Sequence, residues 1–152
     1  MRRIIFRSII VLASVHYLSA STSARPYSGA AADIAEAIFR WHIQVHASIH
    51  RQFKVYYLAM GPNMDAPGNQ FMKRFSGYRP RVKKFTRSTY IKERMEQGGA
   101  MLLAVTSIRW RSKTKVVASG YIDSGPGEGV YWIYELKRKG NKWTVGDVMN
   151  YG

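Results

Sequence analysis

Four strand-like segments separated by short turns fill the last third of the chain, and they constrain the fold more than any other feature. They are rich in β-branched and aromatic residues and span Met101–Arg111, Lys115–Asp123, Gly129–Lys137 and Lys142–Met149. Glycine-containing or polar turns, among them Lys139-Gly140-Asn141, separate them. Because consecutive strands joined by short turns pair antiparallel, this region predicts an antiparallel meander.

The region before the meander mixes helical and strand patterns. Apolar residues recur at helical spacing from Asp33 to about Ala47, which predicts an amphipathic helix capped by Asp33. Arg51–Met60 and Arg81–Phe85 favour strands, and Asn69–Phe75 favours a short second helix closed by Gly77.

The segment Thr86–Gly99 is polar and has no clean period, so it is predicted to be an irregular connection. A helical region followed by a meander gives an α+β fold. We therefore predict an N-terminal helix and a short second helix packed on a curved antiparallel sheet of four to five strands.

The N-terminus has the pattern of a secretory signal peptide. Basic residues precede a short apolar run and then small residues, with Ala24 or Ala20 as the cleavage site. The apolar run is about half of the roughly 20 residues that a spanning helix needs, so no transmembrane span is predicted in the mature chain. We predict a signal peptide at 1–24, a linker at 25–32 and one domain at 33–152. The absence of cysteine and of glycosylation acceptors favours a bacterial periplasmic or secreted protein.

Positive charge dominates the chain. The net charge is +15, and loss of the first 24 residues would leave 21 basic against 9 acidic side chains. Such a charge favours anionic partners, either envelope components or an acidic protein, and export disfavours nucleic acid. A basic run that begins at Lys73 and is interleaved with aromatic residues predicts an anion-binding surface of Lys73, Arg74, Arg79, Arg81, Lys83, Lys84 and Arg87. The alternative is a solvated face whose aromatic residues pack on the core.

The C-terminal pattern also carries a family resemblance. The segments Tyr131–Leu136 and Gly140–Val145, with Lys115–Tyr121 before them, resemble the closing strands of the nuclear transport factor 2-like superfamily of cystatin-like α+β cones. This resemblance implies a pocket between helix and sheet, and it allows a homodimer through the sheet face. Members of the superfamily include isomerases, dehydratases and carriers, so the fold alone does not assign a function.

Large rings on the helix and strands are the candidate ligand-binding residues. A small apolar or aromatic ligand would be lined by Trp41, His42, Tyr121, Trp132 and Tyr134. The alternative is that these rings pack the core. Asp123 beside Tyr121 could form an acid–base pair, although aspartate before Ser124-Gly125 is typical of a turn.

No catalytic or cofactor motif is present. His42, His46 and His50 are spaced by four residues, but no carboxylate or cysteine accompanies them, so we predict no metal, no cofactor and no catalytic residue. His42 and His46 are expected beside the apolar stripe of the helix rather than in it. The sequence favours an exported binding domain over an enzyme; a cone enzyme of the isomerase or dehydratase type stays open.

Overall fold

The computed structural model describes residues 27, 29–49, 53–97, 99–125 and 129–151. The predicted signal peptide and its cleavage site lie outside these residues. Within these ranges, no helix is long and apolar enough to cross a membrane.

Helices and strands cover most of the described chain. In chain order they are α1 Ala30–Ile49, β1 Val55–Met60, α2 Asn69–Met72 with a 3-10 turn Lys73–Phe75, β2 Arg81–Lys84, α3 Arg87–Gln97, β3 Ala100–Ser112, β4 Lys115–Asp123, β5 Gly129–Lys139 and β6 Lys142–Tyr151. The α+β class is confirmed.

One mixed sheet of six strands, in the order β2-β1-β3-β4-β5-β6, organises the domain. Strands β3 to β6 form the predicted antiparallel meander. Strand β1, however, pairs parallel with both β2 and β3. The prediction of an antiparallel sheet of four to five strands therefore undercounts the strands slightly and does not hold at this end. The reason is that α2 and α3 each carry the chain back so that the next strand runs parallel to β1.

Two apolar cores lie on opposite faces of the sheet. The larger core packs α1 and α2 against residues such as Tyr56, Leu58 and Leu103. The smaller core packs Tyr90 of α3 against Tyr57 and Leu102. All six residues of β1 are buried, as expected for a strand covered on both faces.

Helix α3 corrects the prediction that Thr86–Gly99 is irregular. Its sequence is mostly polar, and one ring, Tyr90, packs it against the smaller core. Ion pairs to other elements complete its docking: Lys83 of β2 binds Glu93, and Arg94 binds Asp123. These partners lie elsewhere in the chain, so periodicity within the segment could not indicate the helix.

The N-terminus of α1 also differs from the prediction. The helix begins at Ala30, and the backbone amide of Asp33 donates to the carbonyl of Gly29, so Asp33 lies in the first turn and is not the cap. The alanines at 30–32 are strong helix formers and extend the helix toward the N-terminus. The carboxylates of Asp33 and Glu36 bind Arg74, 2.7 Å away in each case.

Candidate functional site

Four of the five predicted ligand-binding rings meet in one cluster between α1 and β5. The ring centroid of Trp41 lies 6.4 Å from that of Trp132 and 6.4 Å from that of Tyr134. The His42 ring lies 5.4 Å from each of the same two rings. All of these contacts are edge-to-face, the arrangement that aromatic rings favour in packed interiors.

The centre of this cluster is sealed from solvent. His42 and Tyr134 are each 1% exposed, and His42 Nε2 lies 2.6 Å from Tyr134 Oη. Burial raises the pKa of Tyr134, so its hydroxyl stays protonated at neutral pH. The pair therefore acts as a hydrogen-bonded part of the core.

His42 faces the sheet, which corrects its predicted place beside the apolar stripe of α1. The side chain of His46 and all of His50 lie outside the described part of the chain. Among the residues that are described, no three histidine, aspartate or glutamate side chains come together to hold a metal ion.

Gly120 makes room for this hydrogen-bonded pair. A Cβ at this position would lie 2.6 Å from the carbonyl oxygen of Ala104 and 3.0 Å from the Tyr134 ring. The absence of a side chain at Gly120 of β4 therefore allows the Tyr134 ring of β5 to approach the β4 backbone closely.

Tyr121 lies on the opposite face of the sheet from the other four rings. Its ring centroid is 5.0 Å from that of Tyr131, and its hydroxyl lies over Gly129, where any Cβ would collide with it. Consequently the five predicted residues do not share one site.

Tyr121 borders a cavity between α3 and the sheet that the sequence did not indicate. Its volume is about 460 Å³, within the range of small-molecule sites. The lining combines rings and apolar groups with two arginines and one aspartate: Asn63, Met64, Phe85, Arg87, Tyr90, Ile91, Arg94, Leu102, Tyr121 and Asp123.

Asp123 organises the polar wall of this cavity. Its carboxylate accepts from Arg94, with Nη1 to Oδ2 at 3.1 Å, and from the backbone amide of Gly125 at 3.1 Å. Its carbonyl accepts from the hydroxyl of Tyr90 at 2.9 Å. The predicted turn role of Asp123 is thus confirmed, and its carboxylate is paired with a guanidinium.

The hydroxyl groups of Tyr90 and Tyr121, which line the cavity, stay protonated at neutral pH and can donate hydrogen bonds. Burial raises the pKa of Tyr90, with the nearby Asp123 charge adding to the effect. Burial is also the main cause of the raised pKa of Tyr121. Neither phenol is therefore suited to act as a general base near neutral pH.

The space between α1 and the sheet, where the resemblance implies a pocket, is filled by the larger core. Openings border its edges. One, of about 290 Å³, lies beside Tyr27, Phe71 and Arg74. Another, of about 450 Å³, lies between Arg40 of α1 and Trp143 of β6.

Two of the seven predicted anion-binding residues are paired with acidic side chains. Arg74 is bound by Asp33 and Glu36, and Lys83 is bound by Glu93. Of the other five residues, Lys73, Arg79, Arg81 and Arg87 are exposed, and Lys84 is half-buried. Arg81, Lys83 and Lys84 all belong to the edge strand β2, where positive charge discourages pairing with other chains.

Comparison of the chain with family models, with curated proteins and with solved structures found no match in any of the three. The resemblance to the nuclear transport factor 2-like superfamily therefore stays a prediction from the sequence.

Proposed function

We propose that the domain binds a small amphipathic organic anion, a carboxylate with an apolar body, in the cavity between α3 and the sheet. The observation that carries this proposal is the composition of the cavity wall, which combines apolar and aromatic groups with guanidinium groups. Small-molecule sites have this character: a mostly apolar enclosure with a few polar groups that orient the ligand.

The apolar part of the wall would hold the body of the ligand. Phe85, Tyr90 and Tyr121 supply ring surface, and Met64 and Leu102 supply aliphatic surface. Phe85 and Tyr90 already pack on each other, with centroids 5.9 Å apart, so this surface needs little rearrangement on binding.

The charged part of the wall favours an anionic head group. Arg94 is neutralised by Asp123, whereas Arg87 is exposed at the rim and forms no ion pair within the described residues. Two guanidinium groups and one carboxylate leave one net positive charge. Because arginine binds carboxylates through two parallel hydrogen bonds, Arg87 is the expected anchor.

Matched ligands test both halves of the proposal. Isothermal titration calorimetry with decanoate against decanol, and with 1-naphthoate against 1-naphthol, compares the same apolar bodies with and without the charge. We expect each carboxylate to bind more tightly than its alcohol. Arg87→Gln should weaken carboxylate binding about tenfold and leave alcohol binding unchanged.

Two further variants assign binding to this cavity. Arg79→Gln removes another exposed arginine, one that does not border the cavity, so this variant should bind like the native chain. Gly129→Ala forces the Tyr121 ring to move and should weaken both members of each ligand pair. The proposal is refuted if none of the four compounds binds, or if Arg87→Gln and Arg79→Gln have equal effects.

A further inference from the structure

The ends of two β-hairpins meet at one edge of the domain and form a strongly basic surface. Ser112 pairs with Lys115, and Lys115 pairs with Lys137, so the β3–β4 turn lies beside the β5–β6 turn. The backbone amide of Arg138 donates to the carbonyl of Thr114 at 2.8 Å, which joins the two hairpins at this end.

This hairpin end carries a dense set of basic side chains, all of them exposed. It comprises Arg111, Lys113, Lys115, Lys137, Arg138, Lys139 and Lys142. None of them takes part in an ion pair within the described part of the chain. The nearest acidic residue along either hairpin is Glu135, and the acidic residues of α1 that share an opening with Lys142 are bound to Arg40 and Arg74.

A tryptophan projects at the same end of the sheet. Trp110 is 51% exposed, and its ring packs edge-to-face on the buried Trp143 with centroids 5.6 Å apart. The contact with Trp143 supports the ring without covering it. Tryptophan is favoured at the boundary between lipid headgroups and acyl chains, where one part of its ring is apolar and the indole N–H stays hydrated.

We infer that the hairpin end docks on a bilayer surface that carries anionic lipid headgroups. Clustered lysine and arginine side chains bind such surfaces through the negative surface potential, and a supported tryptophan adds an apolar anchor. A site for single-stranded nucleic acid would instead combine a basic groove with several stacking rings, whereas this end presents two adjacent turns and one exposed ring.

Flotation of the full chain with vesicles tests this inference. Vesicles of equimolar phosphatidylglycerol and phosphatidylcholine are compared with vesicles of phosphatidylcholine alone. Each basic side chain that contacts the membrane contributes about fivefold to the partition coefficient. Lys113→Glu/Lys139→Glu should therefore lower binding to the anionic vesicles by at least tenfold, and salt should weaken binding of the native chain.

A charge-matched control separates this surface from general positive charge. Lys73→Glu/Arg79→Glu makes the same change in net charge on exposed residues of the region around α2 and should leave binding nearly unchanged. The N-terminal apolar segment is present in every variant, so it cannot account for a difference between them. Equal losses in the two double variants would overturn the inference.

Tryptophan fluorescence provides a second, independent measurement. Anionic vesicles should shift the emission of the native chain to shorter wavelength, and Trp110→Phe should remove most of this shift. A shift that persists in Trp110→Phe would contradict docking through the hairpin end. Tighter binding to single-stranded RNA than to anionic vesicles would overturn the choice of a membrane as the partner.

Discussion

Replacing Tyr134 by phenylalanine removes the hydroxyl that meets the buried His42 ring and keeps the aromatic ring in place. The two atoms, His42 Nε2 and Tyr134 Oη, lie 2.6 Å apart, and both side chains are 1% exposed. The bond joins them in either histidine tautomer, so its loss leaves the Nε2 atom without this partner in a site that water does not reach.

The expected cost follows from that burial. A buried polar group that loses its hydrogen bond costs about 1–3 kcal/mol, more than the net contribution of an ordinary exposed hydrogen bond. For a domain of this size, the same change lowers the melting temperature by about 3–10 °C. The free energy of unfolding in urea, followed by circular dichroism, measures the change directly.

A double-mutant cycle with His42→Leu separates the hydrogen bond from ring packing. If the bond is the source of the loss, Tyr134→Phe should cost little once His42 has been replaced, because the polar atom is gone. We expect a coupling of about 1 kcal/mol or more between the two positions. Costs that simply add, or a Tyr134→Phe chain as stable as the native one, would refute this account.

Two further changes test other parts of the structure. Gly120→Ala places a methyl group 2.6 Å from a backbone carbonyl and should destabilise the fold by about 1–3 kcal/mol in urea unfolding; Gly68→Ala, with nothing within 4 Å and a negative φ, should not. The hydrogen bond from Lys83 lowers the pKa of Glu93 from its ordinary 4.5, so its contribution to stability is present above that pH and lost as the pH falls through the folded-state pKa. Glu93→Gln should therefore be less stable at neutral pH and lose less stability on acidification, and an unchanged slope of unfolding free energy against pH would contradict the assignment.

The antiparallel half of the fold could be predicted from sequence because its signals are local. Strand β4 was predicted with its observed bounds, Lys115–Asp123, since its alternation of buried and less buried residues lies between two recognisable turns. Asn69–Phe75 was likewise predicted as helical and is observed as α2 with its 3-10 turn. In both cases neighbouring residues decide the conformation.

The parallel half and the cavity depend on contacts between distant segments. Pairing of β1 with β2 and β3 requires the chain to return twice, and no residue in Val55–Met60 specifies which neighbours it gains. The cavity needs α3, whose docking rests on Tyr90, Glu93 and Arg94 and their partners in other elements. Tyr121 and Asp123 were recognised from sequence as a pair at a strand end. The cavity that they border was not predicted, because its opposite wall is formed by α3.

The placement of the basic residues likewise depends on tertiary contacts that a local sequence pattern does not show. The basic run from Lys73 to Arg87 is the predicted anion-binding surface, yet Arg74 binds acidic residues on α1 and Lys83 binds one on α3. The hairpin end was not singled out, because its basic residues are divided between two segments that only the sheet register brings together. A basic run in the sequence therefore overestimates the unpaired positive charge, because acidic residues from other elements bind part of it. Sequence runs also miss basic residues that are distant in the chain and become neighbours only through strand pairing. The inferred membrane contact therefore lies at the turns of the meander and not in the run from Lys73 to Arg87.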